Sequence, residues 1–127
     1  MPLRVFIADD SVQVSEMLTE LISEAGRVEV IGVAESEDTA IDAIRRLRPD
    51  AVVLDLQLKT GSGTNVIRAV RADPSLAAIR LLVTSNHVSA RLRAGCLELG
   101  ADGYYDKVKE LGVLTQRLAE LADAPRG

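Results

Sequence analysis

Five short runs rich in β-branched and aliphatic residues recur along the 127-residue chain, each followed by a stretch with apolar residues at helical spacing. Residues 3–8 (LRVFIA), 28–34 (VEVIGVA), 51–54 (AVVL), 79–83 (IRLLV) and 102–106 (DGYYD) read as the strands. Neighbouring parallel strands need a crossover of about a dozen residues or more, usually a helix, and the intervening stretches suit that length. The run AVVL carries no polar residue on either face, as expected of a strand covered on both sides. Crossovers are right-handed in nearly all cases, so the alternation predicts α/β architecture, a doubly wound five-stranded parallel sheet with helices on both faces.

Helix boundaries follow from local chemistry. From Ser11 to Ala25, Val14, Met17, Leu18, Leu21, Ile22 and Ala25 fall three or four apart, and Gly26 reads as the stop. Ser36 is placed as an N-cap, with Glu37 and Asp38 in a first turn where the helix dipole favours them, and Pro49 ends that helix. Three further helices are expected over Asn65–Ala72, Ser89–Leu99 (stopped by Gly100) and Lys109–Ala122. The domain therefore spans residues 3–122, and 123–127 read as a frayed tail.

Composition narrows the class. The length suits one domain, and 47% hydrophobic residues with a net charge of −4 exclude a disordered chain. No apolar run reaches ten residues, so neither a membrane-spanning segment nor a signal-peptide core is expected. A lone cysteine, Cys96, cannot form an internal bridge, which fits a reducing cytoplasm. A pI near 5.0 argues against direct nucleic-acid binding, and the three aromatics, Phe6, Tyr104 and Tyr105, make no base-stacking platform.

Ligands of open α/β sheets bind at the carboxyl ends of the strands, so the residues that follow the strands carry the chemistry. Here these are Asp9, Asp10 and Ser11, then Asp55, then Thr84, Ser85, Asn86 and His87, then Lys107. Three carboxylates crowded together require a countercharge, and a hard cation such as Mg²⁺ with oxygen ligands supplies one. The bland alternative makes the aspartates helix caps, which explains neither the consecutive pair nor the lysine. Other features favour structural roles. His87 has no partner for a transition-metal site, Gly61-Ser62-Gly63 lacks the third glycine of a dinucleotide fingerprint, Cys96 is a packing residue, and Arg45, Arg46 and Arg48 form a solvated helix end.

Phe6-Ile7-Ala8-Asp9-Asp10, Val53-Leu54-Asp55-Leu56, Leu82-Val83-Thr84-Ser85 and Gly103-Tyr104-Tyr105-Asp106-Lys107 together resemble the receiver domain of two-component response regulators, from about Leu3 to Leu121. The resemblance implies a flavodoxin-like (βα)5 sheet of order 2-1-3-4-5. It implies Asp55 as the phosphoacceptor, with Mg²⁺ held by Asp10, Asp55 and the backbone carbonyl of Gln57, and by Asp9 through a metal-bound water. Lys107 would pair with the phosphoryl oxygens and Thr84 would hydrogen-bond the attached group. Tyr104 would be the switch aromatic that moves inward with Thr84. The fourth helix, fifth strand and fifth helix, including Arg91, Leu92, Cys96 and Tyr104, would be the readout face.

The partners implied are a histidine kinase or phosphotransfer protein and a downstream protein, with no nucleic acid, no membrane insertion, and a monomer or weak homodimer. The chain would be no enzyme beyond self-phosphorylation and self-dephosphorylation.

Two positions depart from the family pattern. Lys59 replaces a common proline and is expected to loosen its loop and add a cation. Val108 replaces a proline commonly joined through a cis peptide, so Lys107–Val108 is expected to be trans. Lys59, Gln57 and Asn86 are expected to influence phosphorylation and hydrolysis rates. Three other readings stand beside the main one: the receiver of a longer regulator with a separate effector, a degenerate receiver serving as a constitutive interaction module, and a flavin carrier of the same topology. No aromatic residue follows the third or fourth strand to stack on a flavin.

Overall fold

Alternating strands and helices give way to a single sheet in the computed structural model, which describes residues 2–23, 27–87 and 89–124. The elements are β1 (Leu3–Ala8), α1 (Val12–Ile22), β2 (Val28–Ala34), α2 (Glu37–Leu47), β3 (Ala51–Asp55) and α3 (Gly63–Ala72). A 3₁₀ turn (Pro74–Leu76) then leads to β4 (Arg80–Ser85), α4 (Ala90–Leu99), β5 (Gly103–Asp106) and α5 (Leu111–Asp123). All strand pairs are parallel, in the order β2-β1-β3-β4-β5.

Side-chain alternation along the strands divides the interior into two cores. Phe6, Val52, Leu54, Leu81 and Val83 point to one face and pack with Ile44 of α2, Ile67 and Val70 of α3 and Cys96 of α4. Val5, Ile7, Val53 and Leu82 point to the other and pack with Leu18 and Ile22 of α1 and Leu114 and Leu118 of α5. All five residues of β3 are buried, as its unpolarised sequence requires.

Boundaries differ from the sequence reading where a polar group captured a backbone N–H. α1 ends at Ile22 because Ser23 turns extended and donates its N–H to Thr19 O at 3.1 Å. Ala25 and the stop expected at Gly26 lie outside the described residues. α3 begins two residues early, capped by Ser62, whose Oγ accepts from Thr64 N. β4 continues through Thr84 and Ser85, which pair with Tyr105 and Asp106 of β5. α5 begins at Leu111 instead of Lys109, since a turn occupies residues 107–109. Asp123 is its last residue and accepts from Arg27 at 2.7 Å, while 125–127 lie outside the described residues.

At the α4–β5 junction, Gly100 adopts φ +112°, a conformation that side chains resist. A Cβ there would lie 2.7 Å from Arg71 Cγ. Arg71 cannot easily yield, because its guanidinium donates to Gly100 O, Ile79 O and Asp102 Oδ2 at 2.8, 2.8 and 2.9 Å. Gly100→Ala is expected to destabilise the fold by about 1–2 kcal/mol, a loss that equilibrium urea unfolding would measure.

Candidate functional site

Strand order decides which loops meet. β1 and β3 are neighbours although β2 lies between them in sequence, so Asp9, the first residue after β1, and Asp55, the last residue of β3, lie side by side at the carboxyl edge. Asp55 pairs with Thr84 across β3 and β4, and the N–H of Lys107, just past β5, donates to Ser85 O at 2.9 Å. The predicted residues are thereby brought together from four strand ends.

The two buried carboxylates are held alike. Asp9 Oδ1 accepts from Ser11 N at 2.9 Å and Asp55 Oδ1 from Gln57 N at 3.1 Å. Asp55 Oδ2 accepts a hydrogen bond from Lys107 Nζ at 2.7 Å. Asp9 Oδ2 forms an ion pair with the same nitrogen at 2.8 Å. Asp9, Asp55, Thr84 and Lys107 are 1%, 3%, 1% and 8% exposed, whereas Asp10 is exposed. The cap reading of the aspartates fails, since Ser11 caps α1 and Ser62 caps α3.

Among the described residues, Asp9, Asp10 and Asp55 each place a carboxylate oxygen within 4.8 Å of the others. Hard oxygen donors this close suit Mg²⁺. Two buried polar atoms, Asp9 Oδ2 and Thr84 Oγ1, have no hydrogen-bond partner. Asp9 Oδ2 is met only by the Lys107 ammonium, and the Thr84 hydroxyl beside Asp55 is left open, which fits a site that can take a further charged group. A groove of about 1210 Å³ opens elsewhere, between α1, the end of β2 and α2, and neither the buried aspartates nor Lys107 line it.

Flanking residues fix the loop that follows Asp55. Glu37 accepts from Ser62 N and Asn65 Nδ2, each at 3.0 Å, and these bonds hold its carboxyl below the usual range. A Cβ on Gly63 would strike the Asp55 carbonyl oxygen and lie 2.8 Å from Leu56 Cα, so only glycine lets α3 start against the backbone of Asp55 and Leu56. Lys59 does not loosen this loop as expected. Its N–H, which a proline would lack, donates to Glu35 O at 2.8 Å, and its ammonium lies 3.5 Å from the Glu35 carboxylate.

Tyr104 and Cys96 depart from the expected readout face, because both are buried in the core while Arg91 and Leu92 are exposed. The Tyr104 hydroxyl donates to His87 O at 2.6 Å, which gives His87 a backbone role. Lys107–Val108 is trans, as expected, and no cis peptide occurs among the described residues. The sequence reading missed Glu37, Gly63 and Asp106. The last accepts at its Oδ1 from Val108 N and Lys109 N, both at 2.8 Å. An aspartate two and three residues before free N–H groups is a recognisable turn signal.

Burial raises the carboxyls of both Asp9 and Asp55 above the ordinary value of 3.8, with Lys107 offsetting only part of the effect. Burial by itself would lower the Lys107 ammonium, but the bonds and charges of Asp55 and Asp9 outweigh it and push its pKa up. A carboxyl raised in the folded state favours the protonated form, so stability falls as pH climbs from the ordinary value through the raised one. The contribution of Lys107 is complete below 10.5 and is lost only as pH rises through its higher folded value. Without metal, Asp55→Asn is therefore expected to stabilise the protein at pH 7 by on the order of 1 kcal/mol. In urea unfolding that gain should shrink as pH falls through the raised value and be gone below the ordinary value of 3.8.

Residues 5–119 match the family model of the response regulator receiver domain. A protein-glutamate methylesterase/protein-glutamine glutaminase of Nocardioides sp. is 28% identical over 122 residues, covering 96% of this chain and 33% of that protein. Such an enzyme of Myxococcus xanthus, number 5, is 35% identical over 121 residues, covering 94% and 34%. The chain thus spans about a third of the length of these curated relatives. A two-component response regulator of the LuxR family from Aurantimonas sp. SI85-9A1 superposes with TM-score 0.87 at 27% identity, over 99% of this chain and 89% of that one. The response regulator domain of Thermotoga maritima CheB shares the fold, with TM-score 0.84 at 18% identity over 99% and 100% of the two chains. With the matched region covering nearly every element of the sheet, the chain belongs to the response regulator receiver domain family.

Proposed function

We propose that this receiver is a phosphoryl-accepting switch in which Asp55 takes a phosphoryl group from a histidine kinase or phosphotransfer protein. The observation that carries this reading is the buried Lys107 ammonium held between Asp55 and Asp9, with the unpaired Thr84 hydroxyl beside them. An Asp55 carboxylate oxygen attacks phosphorus and the P–N bond to the donor imidazole breaks. Its electron pair stays on the imidazole nitrogen, which takes up a proton. Asp10, Asp55 and the Gln57 carbonyl would hold Mg²⁺ directly and Asp9 through a bound water, and the ion would supply charge neutralisation for the transferring group.

Lys107 then transfers its grip from the carboxylate to a phosphoryl oxygen, and Thr84 Oγ1 gains the acceptor it lacks. Phosphorylation adds a charge of about −1.5 to −2 and three strong acceptors, enough to draw Thr84 and its strand toward the group. Tyr104 already lies inside, so Thr84 is the moving part of the switch and Tyr104 the residue that holds the inward arrangement. The output surface is the α4–β5–α5 face, where Arg91 and Leu92 are exposed, and it controls a protein partner in the cytoplasm. The domain comprises residues 3–122, binds no nucleic acid directly, is a monomer or weak homodimer, and has no enzymatic role beyond its own phosphorylation and dephosphorylation.

A second reading, that these residues are the receiver of a longer regulator with its own effector, is favoured by the curated relatives being about three times as long. The length of the encoding reading frame decides between them. For the switch itself, incubation with Mg²⁺ and acetyl phosphate is expected to add one phosphoryl group, detected by intact-protein mass spectrometry. Chelation of the metal or Asp55→Asn should reduce the labelling at least 100-fold, and labelling that persists in the variant excludes Asp55 as the acceptor.

A further inference from the structure

Lys107 must be delivered inward from a turn whose next residue, Val108, faces solvent at 77% exposure. Lys107 N is held by Ser85 O at 2.9 Å, and the next three N–H groups of the turn all go to one residue. Asp106 Oδ1 accepts from Val108 N and from Lys109 N at 2.8 Å each, and Asp106 O accepts from Glu110 N at 3.0 Å. The Asp106 N–H donates in turn to Glu110 Oε1 at 3.0 Å. Glu110 is anchored beyond the turn, 3.6 Å from the guanidinium of Arg93 in α4, which stacks over the Tyr104 ring at 5.7 Å. Residue 108 is thus a hydrogen-bond donor, and a proline at that position could not serve.

The geometry points to Asp106 as the positioning residue for Lys107: its carboxylate, braced by Glu110, folds the 107–110 turn and aims the Lys107 ammonium at Asp55 and Asp9. Asp106 touches no reacting atom and acts only through Lys107. Its bonds to consecutive N–H groups fix both torsions that follow Lys107, so loss of the carboxylate frees the turn and lets the side chain swing toward solvent. An amide oxygen accepts the same N–H groups, so Asp106→Asn preserves the device and Asp106→Ala removes it.

The chain has three lysines, Lys59, Lys107 and Lys109, and Lys59 and Lys109 are exposed, so they serve as internal standards for acylation by an N-hydroxysuccinimide ester. In the unmodified protein Lys107 should label far more slowly than both. Asp106→Ala is expected to raise its labelling about tenfold, with Asp106→Asn close to the unmodified protein and the standards unchanged. The second readout rests on the phosphoacceptor reading: Asp106→Ala slows uptake from acetyl phosphate about tenfold, and adding Asp106→Ala to Lys107→Ala has no further effect.

Unchanged Lys107 labelling in Asp106→Ala overturns the proposal, as does an additive loss in the double variant. If Asp106→Ala does not fold, Asp106→Asn with Lys107 labelled as fast as Lys109 overturns it as well. Failure of the unmodified protein to take up phosphoryl groups would defeat the phosphoacceptor reading alone, since lysine labelling reads the positioning without it.

Discussion

Two carboxylates buried beside each other are unfavourable in a low-dielectric interior unless a cation meets both, and here a single ammonium does so. Much of the remaining architecture is what that arrangement requires. β1 and β3 must be adjacent, so the chain winds outward in both directions from them. Lys107 must arrive from the far side of β4, so β5 has to end beside Ser85 and turn sharply. The balance remains incomplete, since three carboxylates face one ammonium and burial still keeps Asp9 and Asp55 above their ordinary values. A site left electrostatically short is one that a divalent cation can complete.

The alternation of apolar runs and helical stretches made the sheet legible from the sequence, because each strand carries two buried faces and each helix one. The strand-end residues were legible for a related reason. Polar groups placed directly after continuous apolar strands can only emerge at the same edge. The supports were not legible. Glu37 reaches Ser62 and Asn65 across 25 and 28 positions, and Lys59 is tied to Glu35 across 24. Such bonds depend on how α2 and the β3–α3 loop approach in space, which neither periodicity nor propensity encodes.

Side-chain direction was the other blind spot. Tyr104 sits on a strand at the edge of the sheet, where a tyrosine could equally face out. Its inward position depends on the His87 carbonyl and the Arg93 guanidinium, supplied by a loop and a helix 17 and 11 positions away. Asp106 could be read as a turn former from its neighbours alone, yet its bearing on Lys107 becomes visible only once the lysine is seen to be buried.

The close seating of Gly63 against the backbone of Asp55 and Leu56 has a directional consequence. With Glu37 clamping the loop behind it, the β3–α3 side of Asp55 behaves as an anvil, with little slack to absorb a disturbance. The opposite side contains the Thr84 hydroxyl without a partner and a helix, α4, with only Cys96 fully buried. The two sides of Asp55 are therefore unequal: the β3–α3 side is tightly seated against a glycine, and the β4–α4 side is packed more lightly.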